Sequence, residues 1–170
     1  MGLFLVISAP DRLEAQEWTK NYKTQYAIIH YSNDNDLAIF TKNIDKGFSF
    51  SSENIENNPL LTKNRVDRIV ERVRALLDMY PSGLYFSIYL YQTNKEIETM
   101  YRSMGFFDKA PIAFYSHRTK AIYISLESIT DRIFAHETAH AVINFYFIVP
   151  PPARMQEILA QHVDRYLWEK

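Results

Sequence analysis

The segment His136-Glu137-Thr138-Ala139-His140 constrains this chain more than any other. The apolar residues around it, Ile129, Ile133, Ala141, Val142 and Phe145, recur at helical spacing. Residues four apart on a helix share one face, so both imidazoles aim at one point, about one turn apart. This helix is read from Ser128 to about Phe147. It must stop before Pro150-Pro151-Pro152, because proline neither donates a backbone hydrogen bond nor fits inside a helix. A last helix is read from about Ala153 to Trp168. The triple proline lets the chain turn back, so that the last helix can face the first.

Two neutral imidazoles at this spacing suit a divalent zinc ion. Glu137 projects beside them and is placed to take a proton from a bound water. With five His in 170 residues, the pattern arises by chance only about 0.01 times. Burying two unpaired imidazoles without a ligand or partner is costly. The chain has no Cys, so disulfides, thiol catalysis and Cys-held zinc are excluded, and any metal is held by His, Asp and Glu. A catalytic zinc generally takes three protein ligands. Glu157, His162 and Asp164 are the candidates for the third, with Glu157 preferred. On a helix Glu157 and His162 lie about 140° apart, so both cannot easily serve. The expectation is one Zn2+ per chain, held by His136, His140 and Glu157.

The rest of the chain supplies a scaffold. Thr24 to Ser32 reads as a strand, Asp36 to about Ile44 as a short helix, and Asp45 to Pro59 as a surface loop. Val66, Ile69, Val70, Val73, Leu76, Leu77 and Tyr80 mark a helix opening at Thr62 and ended by Pro81-Ser82-Gly83. Arg65, Arg68, Arg72 and Arg74 read as its solvated face. Leu84 to Gln92 is an aromatic strand. Thr93 and Glu96 form a capping box for a helix to about Met104. Ile112–Tyr115 and Lys120–Ser125 make a hairpin. His30, in an apolar strand, reads as structural. The sum is an α+β domain over residues 1–170: one mixed sheet with helices packed against it.

Lys plus Arg is 19 against 20 Asp plus Glu, so a broad nucleic-acid-binding field is excluded. Four Gly and no glycine-rich phosphate loop argue against a nucleotide site. Gly2 to Ala9 is far short of a membrane span. Residues 1–15 read either as a first strand or as a signal remnant, so the compartment is left open.

His136 to Ala141, the proline turn and Glu157-Ile158-Leu159-Ala160 together resemble the gluzincin branch of zinc metallopeptidases, and small bacterial peptidase MA-like domains in particular. The resemblance implies a zincin-like mixed sheet, an active-site helix and a C-terminal helix carrying the third ligand. It implies hydrolysis of peptide bonds in a peptide or protein substrate, with Glu137 as the base. It implies that Ala121, Ile122, Tyr123, Ile124 and Ser125 edge the cleft and pair with substrate backbone. Two positions depart from the pattern. Ile158 stands where Gly is usual, and Gln161 stands where an acid would orient a ligand histidine. Gln161 is therefore the expected partner of a ligand imidazole. His162 and Tyr166 are the preferred stabilisers of a developing oxyanion, with Tyr146 and His117 as further candidates. The rival readings are a zinc-binding but proteolytically latent, partner-binding domain and a metal-free structural domain.

Overall fold

The computed structural model describes residues 18–45 and 58–169. Residues 1–15 and most of the Asp45–Pro59 loop lie outside the described residues. The strands are β1 (Lys20–Lys23), β2 (Ala27–Tyr31), β3 (Phe86–Tyr91), β4 (Ala113–Ser116) and β5 (Ala121–Ser125). The helices are α1 (Asp34–Asn43), α2 (Pro59–Leu77), α3 (Asn94–Ser103), α4 (Asp131–Tyr146) and α5 (Ala153–Tyr166). The strands form one mixed sheet of order β1-β2-β3-β5-β4. β2, β3 and β5 run parallel, while β1 and β4 pair antiparallel at the two edges. The mixed sheet with packed helices agrees with the sequence reading. β1 does not appear in that reading, because three of its four residues are exposed and carry no apolar alternation.

The sheet's pleat sorts its side chains onto two faces. Ile88 and Leu90 of β3 and Ile122 and Ile124 of β5 join the aliphatic core under α1, α2, α4 and α5. Tyr91, Tyr123 and Phe114 point the other way and pack with Ile97 of α3. On this second face the rings of His30, Tyr89, Tyr123 and Phe114 stack in sequence across four strands, with successive centroids 4.5, 5.2 and 4.9 Å apart.

Local chemistry sets the helix starts. The Thr93–Glu96 capping box is present at α3, and Asn33 with Asp36 builds another at α1. α2 starts at Pro59, earlier than the expected Thr62, because Asn58 accepts from the Leu60 N–H and Pro59 occupies the first turn. α4 starts at Asp131, later than the expected Ser128, because Thr130 is its cap.

The arginines of α2 do not form a solvated face. Arg65 is buried; it donates to the Thr41 carbonyl at 3.0 Å and pairs with Asp45 at 2.8 Å. Arg72 donates to the carbonyls of Tyr166, Leu167 and Glu169 beyond and at the end of α5. Arg74 bonds the Tyr26 hydroxyl at 2.7 Å. The physical reason is that α2 is flanked by α1 on one side and by α4 and α5 on the other. Its polar positions therefore meet carbonyls and acids of neighbouring elements instead of water. Arg68 alone of the four is exposed.

Candidate metal centre

α4 carries the two imidazoles because its opposite side is driven into the core. Phe134, Ala135, Thr138, Ala139, Ala141, Val142 and Ile143 are all buried. Small residues at 135, 139 and 141 allow neighbouring elements to approach closely. With that side fixed, His136 and His140 must face away from the sheet, toward α5. The α4–α5 turn is held by polar contacts. Asn144 Nδ2 donates to the His140 carbonyl at 2.8 Å and to Gln156 Oε1 at 3.0 Å. Gln156 Nε2 donates to the Pro151 carbonyl at 2.8 Å. This pins the residue immediately before Glu157.

The three expected ligands converge. His136 Nε2 and His140 Nε2 are 3.3 Å apart. Glu157 Oε1 lies 3.2 Å from His140 Nε2, and Glu157 Oε2 lies 3.5 Å from His136 Nε2. One ligand atom from each residue can be chosen so that all three lie within 4.8 Å of one another. Zinc–ligand bonds of about 2.0–2.1 Å at tetrahedral angles require ligand atoms to stand about 3.3 Å apart. The donor set therefore fits a small divalent cation in both chemistry and spacing. Left without a cation or protons, two imidazole lone pairs and a carboxylate would face one another across this gap.

The His136 imidazole has a second partner. Asp164 Oδ2 lies 2.9 Å from His136 Nδ1. That contact holds the proton on Nδ1 and leaves the Nε2 lone pair facing the gap. The same hydrogen bond raises the His136 pKa, against the lowering effect of burial. The Gln156 side chain bonds Asn144 and the Pro151 carbonyl beside His140. Burial, and next the neighbouring His136, lower the His140 pKa. Glu137 is held apart from the gap: the Tyr115 N–H of edge strand β4 donates to Glu137 Oε2 at 2.8 Å. Burial pushes its carboxyl up to about 7.

A cleft of about 360 Å³ opens beside these groups. Pro111, Ile112 and Ala113 form one wall, and Ile133, His136, Glu137, Asp164 and Arg132 form the other. Arg132 is exposed there and donates from its Nη1 to the Asp164 carbonyl at 2.9 Å.

Three expectations are corrected. Gln161 is exposed and does not reach a ligand histidine; Asp164 makes that contact. The reason is helical phase: seven residues after Glu157 is about two turns, which returns Asp164 to the same face. Asp164 is thus a support for His136, and Glu157 is the acid that meets both imidazoles. His162 and Tyr166 stack on each other with centroids 4.7 Å apart, and neither lines the cleft. They are rotated about 140° and 180° from Glu157 around α5. Lastly, β5 does not edge the cleft. It lies between β3 and β4, and Ala121, Ile122, Tyr123, Ile124 and Ser125 are all buried, so both its backbone edges are taken. The edge beside α4 is β4. Sequence reasoning missed Gln156 and Arg132; the only signal for either was proximity, next to Glu157 and one turn ahead of His136.

Comparison with family models, with curated proteins and with solved structures finds no match to this chain.

Proposed function

We propose that this protein is a zinc-dependent hydrolase of peptide bonds, with His136, His140 and Glu157 as metal ligands and Glu137 as general base. The observation that carries this reading is the convergence of the two Nε2 atoms, 3.3 Å apart, with the Glu157 carboxylate, whose Oε1 lies 3.2 Å from His140 and whose Oε2 lies 3.5 Å from His136. The zincin-like architecture and the gluzincin resemblance belong to the same proposal. Its support is the order of the parts: a helix with both imidazoles, a turn, and a returning helix with the acid.

Zinc, when bound, supplies Lewis acidity toward a carbonyl oxygen and a water molecule. The chain supplies the rest. Asp164 keeps His136 in the tautomer that offers Nε2. The Tyr115 N–H orients the Glu137 carboxyl, and burial brings that carboxyl to about 7. A group that titrates near neutrality both accepts and returns a proton at physiological pH. The cleft wall at Pro111 to Ala113 excludes water from one side. The latent reading drew on the compact chain and on the missing acid at Gln161; Asp164 removes the second motive, because its carboxylate makes the contact instead.

Metal content of the purified protein is the decisive measurement. The wild type should hold one zinc per chain, and His140→Ala and Glu157→Gln should hold far less. Peptide hydrolysis should stop on chelation and return with zinc. Metal-free protein after growth in zinc would end the proposal. So would full turnover in Glu137→Ala.

A further inference from the structure

The α4–α5 turn carries an apolar surface that the proposed hydrolysis does not use. Ile148 is 102% exposed and Val149 80%, and Tyr146 and Phe147 beside them are also exposed. Met155 and Ile158 follow on the first turns of α5, three residues apart and so on one face, and both are exposed. Half of the twelve exposed large hydrophobic side chains among the described residues fall within these thirteen positions. Scattered exposed hydrophobics are ordinary, but a concentration of this kind marks an interaction site. Pro150, Pro151 and Pro152 stiffen the turn, so the tip cannot fold back over its own side chains.

The charge around the tip names the partner. Lys120, at the β4–β5 turn, places its Nζ 5.1 Å from the Phe145 ring centroid, which sets that turn beside the end of α4. No Asp or Glu occurs from Lys109 to Leu126 or from Phe145 to Gln156. Arg118, Lys120 and Arg154 do occur there, in a chain whose net charge is −1. A protruding apolar tip with two aromatics, with Arg118, Lys120 and Arg154 in the flanking segments and Glu157, turned toward the imidazoles, as the one acid of its span, matches the chemistry of an anionic bilayer surface. Apolar side chains enter the acyl boundary, Tyr and Phe sit at headgroup level, and cations meet the phosphates.

We infer that the α4–α5 turn is a membrane-docking tip for bilayers containing anionic phospholipid, seated by Phe147, Ile148 and Val149. His140 lies six residues before the end of α4, roughly 9 Å along the helix, so a docked tip holds the metal centre next to the headgroups. Docking does not require the metal centre, and the two are tested apart.

The test is co-sedimentation of the purified full chain with vesicles of phosphatidylcholine, with and without phosphatidylglycerol, in zinc and in chelator. Wild type should sediment with the anionic vesicles in both conditions, weakly with the neutral ones, and less as salt is raised. Ile148→Asp with Val149→Asp should weaken partitioning by about tenfold or more. Both side chains are exposed, so circular dichroism and zinc content should not change. Arg118→Glu with Arg154→Glu should abolish the preference for anionic vesicles. Wild type left in the supernatant overturns the inference. So does an Ile148→Asp, Val149→Asp variant that binds vesicles normally, whether it instead loses a dimer seen by light scattering or raises KM for a peptide.

Discussion

α4 and α5 each supply part of the proposed metal centre, and they are held by different forces. α4 lies in the core, with Phe134, Val142 and Ile143 buried completely. Each such side chain contributes about 1.5–3 kcal/mol. α5 buries only Ala160 and Val163 within its span, with Leu167 just beyond it. Leu159 packs against the core while only partly buried. The other attachments are polar: Asn144 to Gln156, His136 to Asp164, Arg132 to the Asp164 carbonyl, and Arg72 to three carbonyls near its end. Trp168 adds a bond to Asp131 at 2.7 Å. Neutral hydrogen bonds contribute about 1 kcal/mol each, and those to charged groups about 1.5–3. The imidazole pair is therefore built mainly by hydrophobic packing, and Glu157 is brought in mainly by directional ties. The lesson is that the metal has most to stabilise on the α5 side.

The largest test of this contrast is Glu137→Gln. It changes neither helix's packing, so zinc content should stay at wild-type level while turnover falls by about 10²–10⁴-fold. Loss of zinc as well would mean that Glu137 has a structural part in α4. Zinc itself comes next. At about 100 times its Kd it should raise unfolding free energy by about 2.7 kcal/mol. Hydrogen exchange should slow more in α5 than in α4; equal protection would remove the asymmetry. Asp164→Asn should weaken zinc affinity by about 10–100-fold, and Gln161→Ala should leave it alone. A competition titration with a chromogenic chelator reads both. Gln156→Ala should cost less, about tenfold or below, because His140 keeps its place on the packed helix.

The smallest effect lies on the far face of the sheet. Burial lowers the His30 pKa below 6.5, so the folded state favours its neutral form. The unfolded chain then binds more protons in the window between 6.5 and the lowered folded value. The stability from neutral His30 is present above pH 6.5 and declines as pH falls through that window. His30→Gln should flatten the acid-side fall of the urea midpoint between about pH 7 and pH 5. An unchanged slope would assign that fall to other groups.

Much of this was legible in the sequence because it is local. The spacing of Val66, Ile69, Val70 and Val73 placed α2, the Thr93–Glu96 pair placed the start of α3, and the polar turn 116–119 placed the β4–β5 hairpin. The facing of His136 and His140 follows from helical phase alone, and the proline turn led to the expectation that the Glu157 helix returns toward them, which it does. Arg65 shows the limit. Its neighbours along α2 say nothing of Thr41 and Asp45, which bury it from another element.

The sequence by itself determined where the helices run, which side of α4 bears the imidazoles, and where the chain turns back before Glu157. All three are set by a period of 3.6 residues and by residues that break it. Only the tertiary structure decided that Asp164 and not Gln161 supports His136, that β4 and not β5 borders the cleft, and that α2's arginines tie helices together. Those outcomes depend on how α5 is rotated against α4 and on the order in which strands pair. Contacts between distant segments set both, and no local period encodes them.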